Sequence, residues 1–145
     1  MLKSFWFWIF IIFIGIQFVP VNVPLNITTS KNYEIKAPKE VLKTLKRACY
    51  DCHSNKIELP WYDKIAPASW YVKNHIINGR KVVNFSEWES YTPEKQLKVL
   101  KKLAESIIIR MPLPSYLWLH QEAKLSNEDK KNLKNWAEKL KDTAK

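Results

Sequence analysis

The hydrophobic pattern of this chain changes character along its length, and each change predicts a different element. Residues 5–19, FWFWIFIIFIGIQFV, are apolar at nearly every position, and no charged residue stands between Ser4 and Ser30. A helix that is hydrophobic all round does not belong on the surface of a soluble core. An uncharged run of this length predicts a membrane anchor over residues 1–19. Lys3, the only charge on the short side, suits an N-terminus left in the cytoplasm, and a long C-terminal part can cross despite its lysines. The alternative is a cleavable signal segment, which wants a small-residue cleavage site; here the run ends in FVPVNVP. Residues 20–36 then lose all period, carry two prolines and read as a linker.

From Pro38 the pattern turns to helical spacing. Pro38 opens a helix whose Val41, Leu42, Leu45 and Ala48 share one face and which runs straight into Cys49. APASWYVKNHIINGR predicts a second helix, with Pro67 in its first turn and Gly79 as its stop. Thr92 caps a third, with Pro93 at its first position and an apolar stripe of Leu97, Leu100, Leu103, Ala104, Ile107 and Ile108. It must end before Met111, because MPLP removes two backbone donors in three residues. Ser126, with Asp129 three residues on, caps the last helix, whose buried face is Leu133, Trp136, Ala137 and Leu140.

Composition agrees with an all-α fold. Only two Gly stand against eight Pro, which argues against a turn-rich β architecture. The net charge of +10 favours acidic protein partners, anionic lipid head groups or nucleic acid. The basic residues are thinly spread and form no nucleic-acid-binding motif, so nucleic acid is not expected as a partner.

The chemistry concentrates in ACYDCHSN, residues 48–55, which holds both cysteines. Cys-x-x-Cys-His is the attachment motif of a c-type haem. Each thiol adds across one porphyrin vinyl group, and the two intervening residues match the vinyl separation. The adjacent imidazole lies under the iron. Cys49 and Cys52 are thus candidate thioether residues, and His53 the proximal iron ligand. A zinc site needs a second ligand pair that is missing, a thioredoxin-like pair wants a βαβ setting, and a disulfide across three residues would stabilise little.

A haem iron also takes a sixth ligand. Met111 is the only methionine besides Met1 and sits in RMPLPSY, where the prolines would hold its sulfur at low entropic cost. Met/His ligation is the arrangement of electron-transfer cytochromes c. The rival ligands are His75, on the second predicted helix, and His120, just before the last one.

The segments CYDCHSNKIELPWYDKIAPASWYVKNHIINGRKVVNFSEWESY and MPLPSYLWLHQEAKLS closely resemble the haem-binding-domain family of small bacterial c-type cytochromes, over about residues 37–140. The resemblance implies a cytochrome-c-like helical domain at residues 37–145 lying outside the cytoplasmic membrane. It further implies one covalent haem c at Cys49 and Cys52, His53 as axial ligand and Met111 in the sixth-ligand position. Similar domains occur beside peroxidase-like modules. The long segment between His53 and Met111 departs from simpler cytochromes c, and its Trp61, Tyr62, Trp70, Tyr71, Phe85 and Trp88 would wall off the haem or form ordinary core. Arg80 is either a haem-propionate partner or a surface arginine.

The function expected is a membrane-tethered monohaem carrier of electrons, not an enzyme. Its haem domain is placed on the periplasmic side of a bacterial inner membrane, or free in the periplasm after signal cleavage, and it meets acidic redox partners. The competing class is a peroxidase-associated or ligand-sensing module with an open sixth iron position.

Overall fold

The computed structural model describes residues 2–24 and 27–143. Among these, seven α-helices form and no strand: α1 Leu2–Ile16, α2 Lys39–Ala48, α3 Tyr50–His53, α4 Ala68–Val82, α5 Pro93–Ile109, α6 Pro114–Leu117 and α7 Asn127–Thr143. Short 3-10 turns at Lys31–Tyr33, Trp61–Lys64, Phe85–Ser90 and Gln121–Ala123 join them.

The caps read from the sequence form as expected. Thr92 Oγ1 accepts from Lys95 N–H at 3.3 Å, with Pro93 in the first turn. Ser126 Oγ accepts from Asp129 N–H at 3.0 Å while Asp129 Oδ2 accepts from Ser126 N–H at 2.9 Å, a reciprocal capping box. Helix α5 packs along α7, and α2 lies across α7 and against α3. Their shared core includes Leu45 and Leu133, both fully enclosed. Each such leucine stabilises the fold by about 1.5–3 kcal/mol relative to exposure. Arg47 locks α2 to the start of α7, pairing with Asp129 Oδ2 at 2.8 Å and donating to the carbonyls of Glu122 and Lys124.

Four expectations change. Helix α4 does not stop at Gly79 but continues to Val82, with Val83 as its cap. The buried face of α5 runs through Val99, Leu100 and Ile107, whereas Ile108 points to solvent. The segment 20–36, of which Leu25 and Asn26 lie outside the described residues, is laid along the domain rather than hanging between two bodies. Asn55 Nδ2 donates to Thr29 Oγ1 at 2.6 Å, Lys56 pairs with Glu34 at 2.7 Å, and Ile35 N–H donates to the Phe85 carbonyl at 2.9 Å. The membrane helix expected over residues 1–19 is also shorter. Helix α1 has 15 residues, a length of about 22 Å against a hydrocarbon core of about 30 Å. Among the described residues no helix is long and apolar enough to cross a membrane. Past Ile16 the chain tightens into i→i+3 turns at Gln17, Phe18 and Val19 ahead of Pro20, and the Gln17 side chain bonds the backbone of Ala66.

Candidate functional site

Helix α2 ends at Ala48, and Cys49 is both its C-cap and the entry to α3. The turn is closed by His53 N–H donating to the Cys49 carbonyl at 2.9 Å and Cys52 N–H to the same oxygen at 3.2 Å. One short helical turn therefore carries Cys49, Cys52 and His53. Both thiols are free and partly enclosed. Burial, with a smaller contribution from the neighbouring thiol, pushes Cys49 up to about 12, and burial with Asp51 nearby pushes Cys52 up to about 11. Neutral thiols held this high are the opposite of the activated thiolate of a redox pair. Among the described residues no group of three or more His, Cys, Asp or Glu side chains is arranged to hold a metal ion.

The ring of His53 is fixed by α4. Its Nδ1 lies 3.0 Å from the Gly79 carbonyl and 3.2 Å from the Val83 carbonyl. Two carbonyl acceptors require Nδ1 to carry the proton, which leaves the lone pair on Nε2. Burial lowers the imidazole's affinity for a second proton, against the pull of those two carbonyls, and so favours the neutral form. Gly79 is what allows the approach. A Cβ there would stand 2.6 Å from the Cys52 carbonyl oxygen and 3.3 Å from His53 Cε1. The glycine read as a helix stop is instead the contact on which the turn rests.

The residues just past the motif are buried and polar. Ser54 and Asn55 are sealed from solvent, and Asn55 joins Asn84 and Ser86 in a closed network. Asn55 N–H donates to Ser86 Oγ at 3.0 Å, and Asn84 Nδ2 donates to Asn55 Oδ1 at 2.8 Å. This network fixes the backbone leaving His53, and nothing in the periodicity of the sequence points to it. Arg80 extends the same anchorage. Its Nε donates to the Ser54 carbonyl at 2.9 Å and its Nη1 to the Pro24 carbonyl, while Nη2 is buried with no partner.

A strap closes over the turn from the other side. The Tyr116 hydroxyl donates to Asp51 Oδ2 at 2.5 Å, so the segment between α5 and α7 meets the turn directly. Burial, opposed by that hydrogen bond, holds the Asp51 carboxyl above the usual carboxylate range. Tyr116 stacks on His120 at 4.2 Å and 9°, and His120 Nε2 lies 2.8 Å from the Tyr62 hydroxyl, with Nδ1 3.0 Å from Glu122 Oε1. Both ring nitrogens of His120 are thus engaged. His75 uses Nδ1 on the Tyr71 carbonyl within its own helix, at 2.8 Å. Met111 follows α5 directly, half-buried, with its N–H on the Ser106 carbonyl at 2.8 Å. Of the aromatic segment, Phe85 and Trp88 are core, and Phe85 stacks on Tyr50 at 5.9 Å and lies 6.2 Å from the His53 ring. Tyr62 and Trp70 are half-buried, and Trp61 and Tyr71 are exposed.

The haem-binding domain model matches residues 11–139 of the chain. The match starts inside α1, so the family unit takes in the docked segment 20–36 as well as the helices that follow. No curated protein and no solved structure matches the chain. The chain belongs to the haem-binding domain family. Its residues fit that group: two free thiols, an imidazole with its tautomer set and Nε2 open, and a buried guanidinium nitrogen with a donor to spare.

Proposed function

We propose that this haem-binding protein is a monohaem c-type cytochrome that carries electrons, held at a membrane by α1 with its folded domain in the periplasm. The observation that carries the proposal is His53. Its Nδ1–H is occupied by two main-chain carbonyls, its Nε2 keeps the lone pair of the neutral ring, and it follows a pair of free thiols on the same turn. Haem, when bound, supplies a one-electron iron couple. Cys49 and Cys52 would hold it covalently: each S–H adds across a vinyl C=C, the sulfur bonding one carbon and the hydrogen the other, with no net oxidation. Carbonyl fixation of Nδ1 raises the basicity of Nε2 and orients the ring.

In this reading Met111 would be the sixth ligand, and its thioether would favour iron(II) and raise the potential. The Tyr116–Asp51 hydrogen bond supports it by holding the strap that contains Met111 against the turn. His120 is the weaker candidate, since ligation would break its bond to Tyr62. Arg80 Nη2 offers a donor to a propionate, although the rest of that guanidinium already serves the backbone. The net charge of +10 suits redox partners with acidic docking surfaces.

The test is spectroscopic. Acid-acetone extraction should leave the chromophore on the polypeptide, and Cys49→Ala with Cys52→Ala should abolish holoprotein. Met111→Ala should remove the long-wavelength methionine-to-iron(III) band and lower the potential, while His75→Ala and His120→Ala leave the band in place. Full extraction of the haem would reject covalent attachment. A wild-type iron that is high-spin and binds peroxide rapidly would replace the electron carrier with a ligand-sensing module.

A further inference from the structure

Gln17 is the one polar residue in the run from Phe5 to Val19, and the structure uses both ends of its amide. Oε1 accepts from the Ala66 N–H at 2.9 Å, and Nε2 donates to the Ala66 carbonyl at 3.1 Å and to the Phe13 carbonyl at 2.9 Å. Two residues later Trp70 Nε1 donates to the Val19 carbonyl at 2.9 Å. The end of α1 is therefore clamped to the start of α4. The chain then follows the domain, with Pro24 held by Arg80 and Thr29 by Asn55.

Helix α1 exposes apolar side chains on every face, among them Phe5 at 62% and Trp6 at 63%. A helix hydrophobic on every face is one that is buried, against protein or in lipid. Where the clamp touches Ala66, the neighbouring surface is also apolar: Trp61 is 72% exposed, Ile65 41% and Tyr71 51%. Lys64, between Trp61 and Ile65 in the chain, is exposed as well. An open cleft of about 460 Å³, lined by Val19, Val21, Trp70, Tyr71 and Asn74, lies at the same junction. Trp and Tyr with a neighbouring lysine are the residues that settle at lipid head-group level, the rings amphipathic and the ammonium facing phosphate.

We propose that α1 and the haem domain dock on the bilayer as one rigid unit, with the Gln17–Ala66 and Trp70–Val19 clamp setting the face of Trp61, Lys64, Ile65 and Tyr71 into the head groups. The occupant of that face is the lipid surface itself. The clamp also accounts for a glutamine at the end of an apolar helix: its amide is satisfied by the domain, so it enters a lipid boundary without an unpaired donor or acceptor. The haem is then presented to its partners at one orientation, not on a swinging tether. The proposal rests on the reading that α1 enters lipid.

Full-length holoprotein, reconstituted in phosphatidylcholine–phosphatidylglycerol vesicles and dried as oriented multilayers, supplies the test. The ferric haem EPR signals should change amplitude as the multilayer is rotated in the field. Gln17→Ala combined with Trp70→Phe should lose most of that angular dependence while still floating with the vesicles and keeping the wild-type Soret spectrum in detergent. Trp61→Ser with Tyr71→Ser should weaken the angular dependence with the clamp intact. Full flotation of the wild type with no angular dependence, or an unchanged dependence in the clamp variant, overturns the rigid docking and leaves the lipid reading standing. A wild type that does not float with vesicles removes the lipid reading, and the docking proposal with it.

Discussion

On one side of the Cys49–His53 turn the contacts are main chain. The carbonyls of Gly79 and Val83 take the imidazole proton, and the backbone of α4 lies against the Cys52 carbonyl with no side chain between. On the other side the contacts are side chains: Tyr116 on Asp51, and His120 between Tyr62 and Glu122. Main-chain acceptors cannot be removed by substitution and can only be pushed away by bulk. Hydroxyls and carboxylates can be deleted one at a time and answer to pH. The α4 side should thus fail all at once, and the strap side by degrees.

The largest effect is expected at Gly79. An alanine in mid-helix ordinarily gains about 1 kcal/mol over glycine. Here its Cβ meets the Cys52 carbonyl oxygen at 2.6 Å, and that oxygen belongs to backbone that cannot rotate away. Overpacking of this kind costs roughly 1–3 kcal/mol, and the shift moves His53 off its two carbonyls. Gly79→Ala should lower the thermal midpoint and the yield of holoprotein per polypeptide together. A variant as stable and as fully loaded as the wild type would show that the α4 side yields as easily as the strap.

How much of this was legible in the sequence follows the same division. The motif residues are local, and Cys49, Cys52 and His53 come together because one helical turn brings them together. The caps at Thr92 and Ser126 are local as well and form where the sequence places them. Gly79 reads as a stop because its partner, His53, is 26 residues away, and a glycine near a helix end carries no local sign of that contact. The stripe of α5 was displaced toward Ile108 because the position of α7 decides which face of a mostly apolar helix is covered. Ser54, Asn55, Asn84 and Ser86 left no trace, since polar residues enter a core by closing a network, which periodicity does not report.

On the strap side, Tyr116→Phe removes the hydroxyl that Asp51 relies on and leaves a half-enclosed carboxylate short of a donor, a cost of about 1–3 kcal/mol. Burial already raises Asp51 above its unfolded value, and losing the bond raises it further. A carboxyl raised by folding binds its proton more tightly in the folded state. Its stabilising contribution is present below the unfolded value of about 3.9 and is lost as the pH rises through the folded one. The stability gap between wild type and Tyr116→Phe should therefore be narrow near pH 4 and widen toward neutrality in chemical denaturation. A gap independent of pH would mean that the hydroxyl serves packing and not Asp51.

The smallest effect is expected at Asp129, the carboxylate that Arg47 holds at the start of α7, and its shift on folding is opposite in sign to that of Asp51. Burial opposes its charge, but the Ser126 N–H and hydroxyl, the Thr44 hydroxyl and the Arg47 guanidinium outweigh burial and hold the carboxyl below its ordinary value. The distances are 2.9 Å to each Ser126 donor, 3.0 Å to Thr44 and 2.8 Å to Arg47. A carboxyl depressed by folding stabilises the protein above its unfolded value of about 3.9, and that contribution is lost as the pH falls through the folded one. Asp129→Asn keeps an acceptor for the cap but loses the charge, so a cost of about 1 kcal/mol at pH 7 is expected. The gap between wild type and variant should close on acidification, where that of Tyr116→Phe also narrows, but for opposite reasons: here the wild type loses an advantage, whereas at Asp51 the variant loses a penalty. The two are told apart at the haem. Asp129→Asn leaves the turn, the strap and the visible spectrum unchanged at every pH, and a spectral change in this variant would break the separation between the helical scaffold and the site it supports.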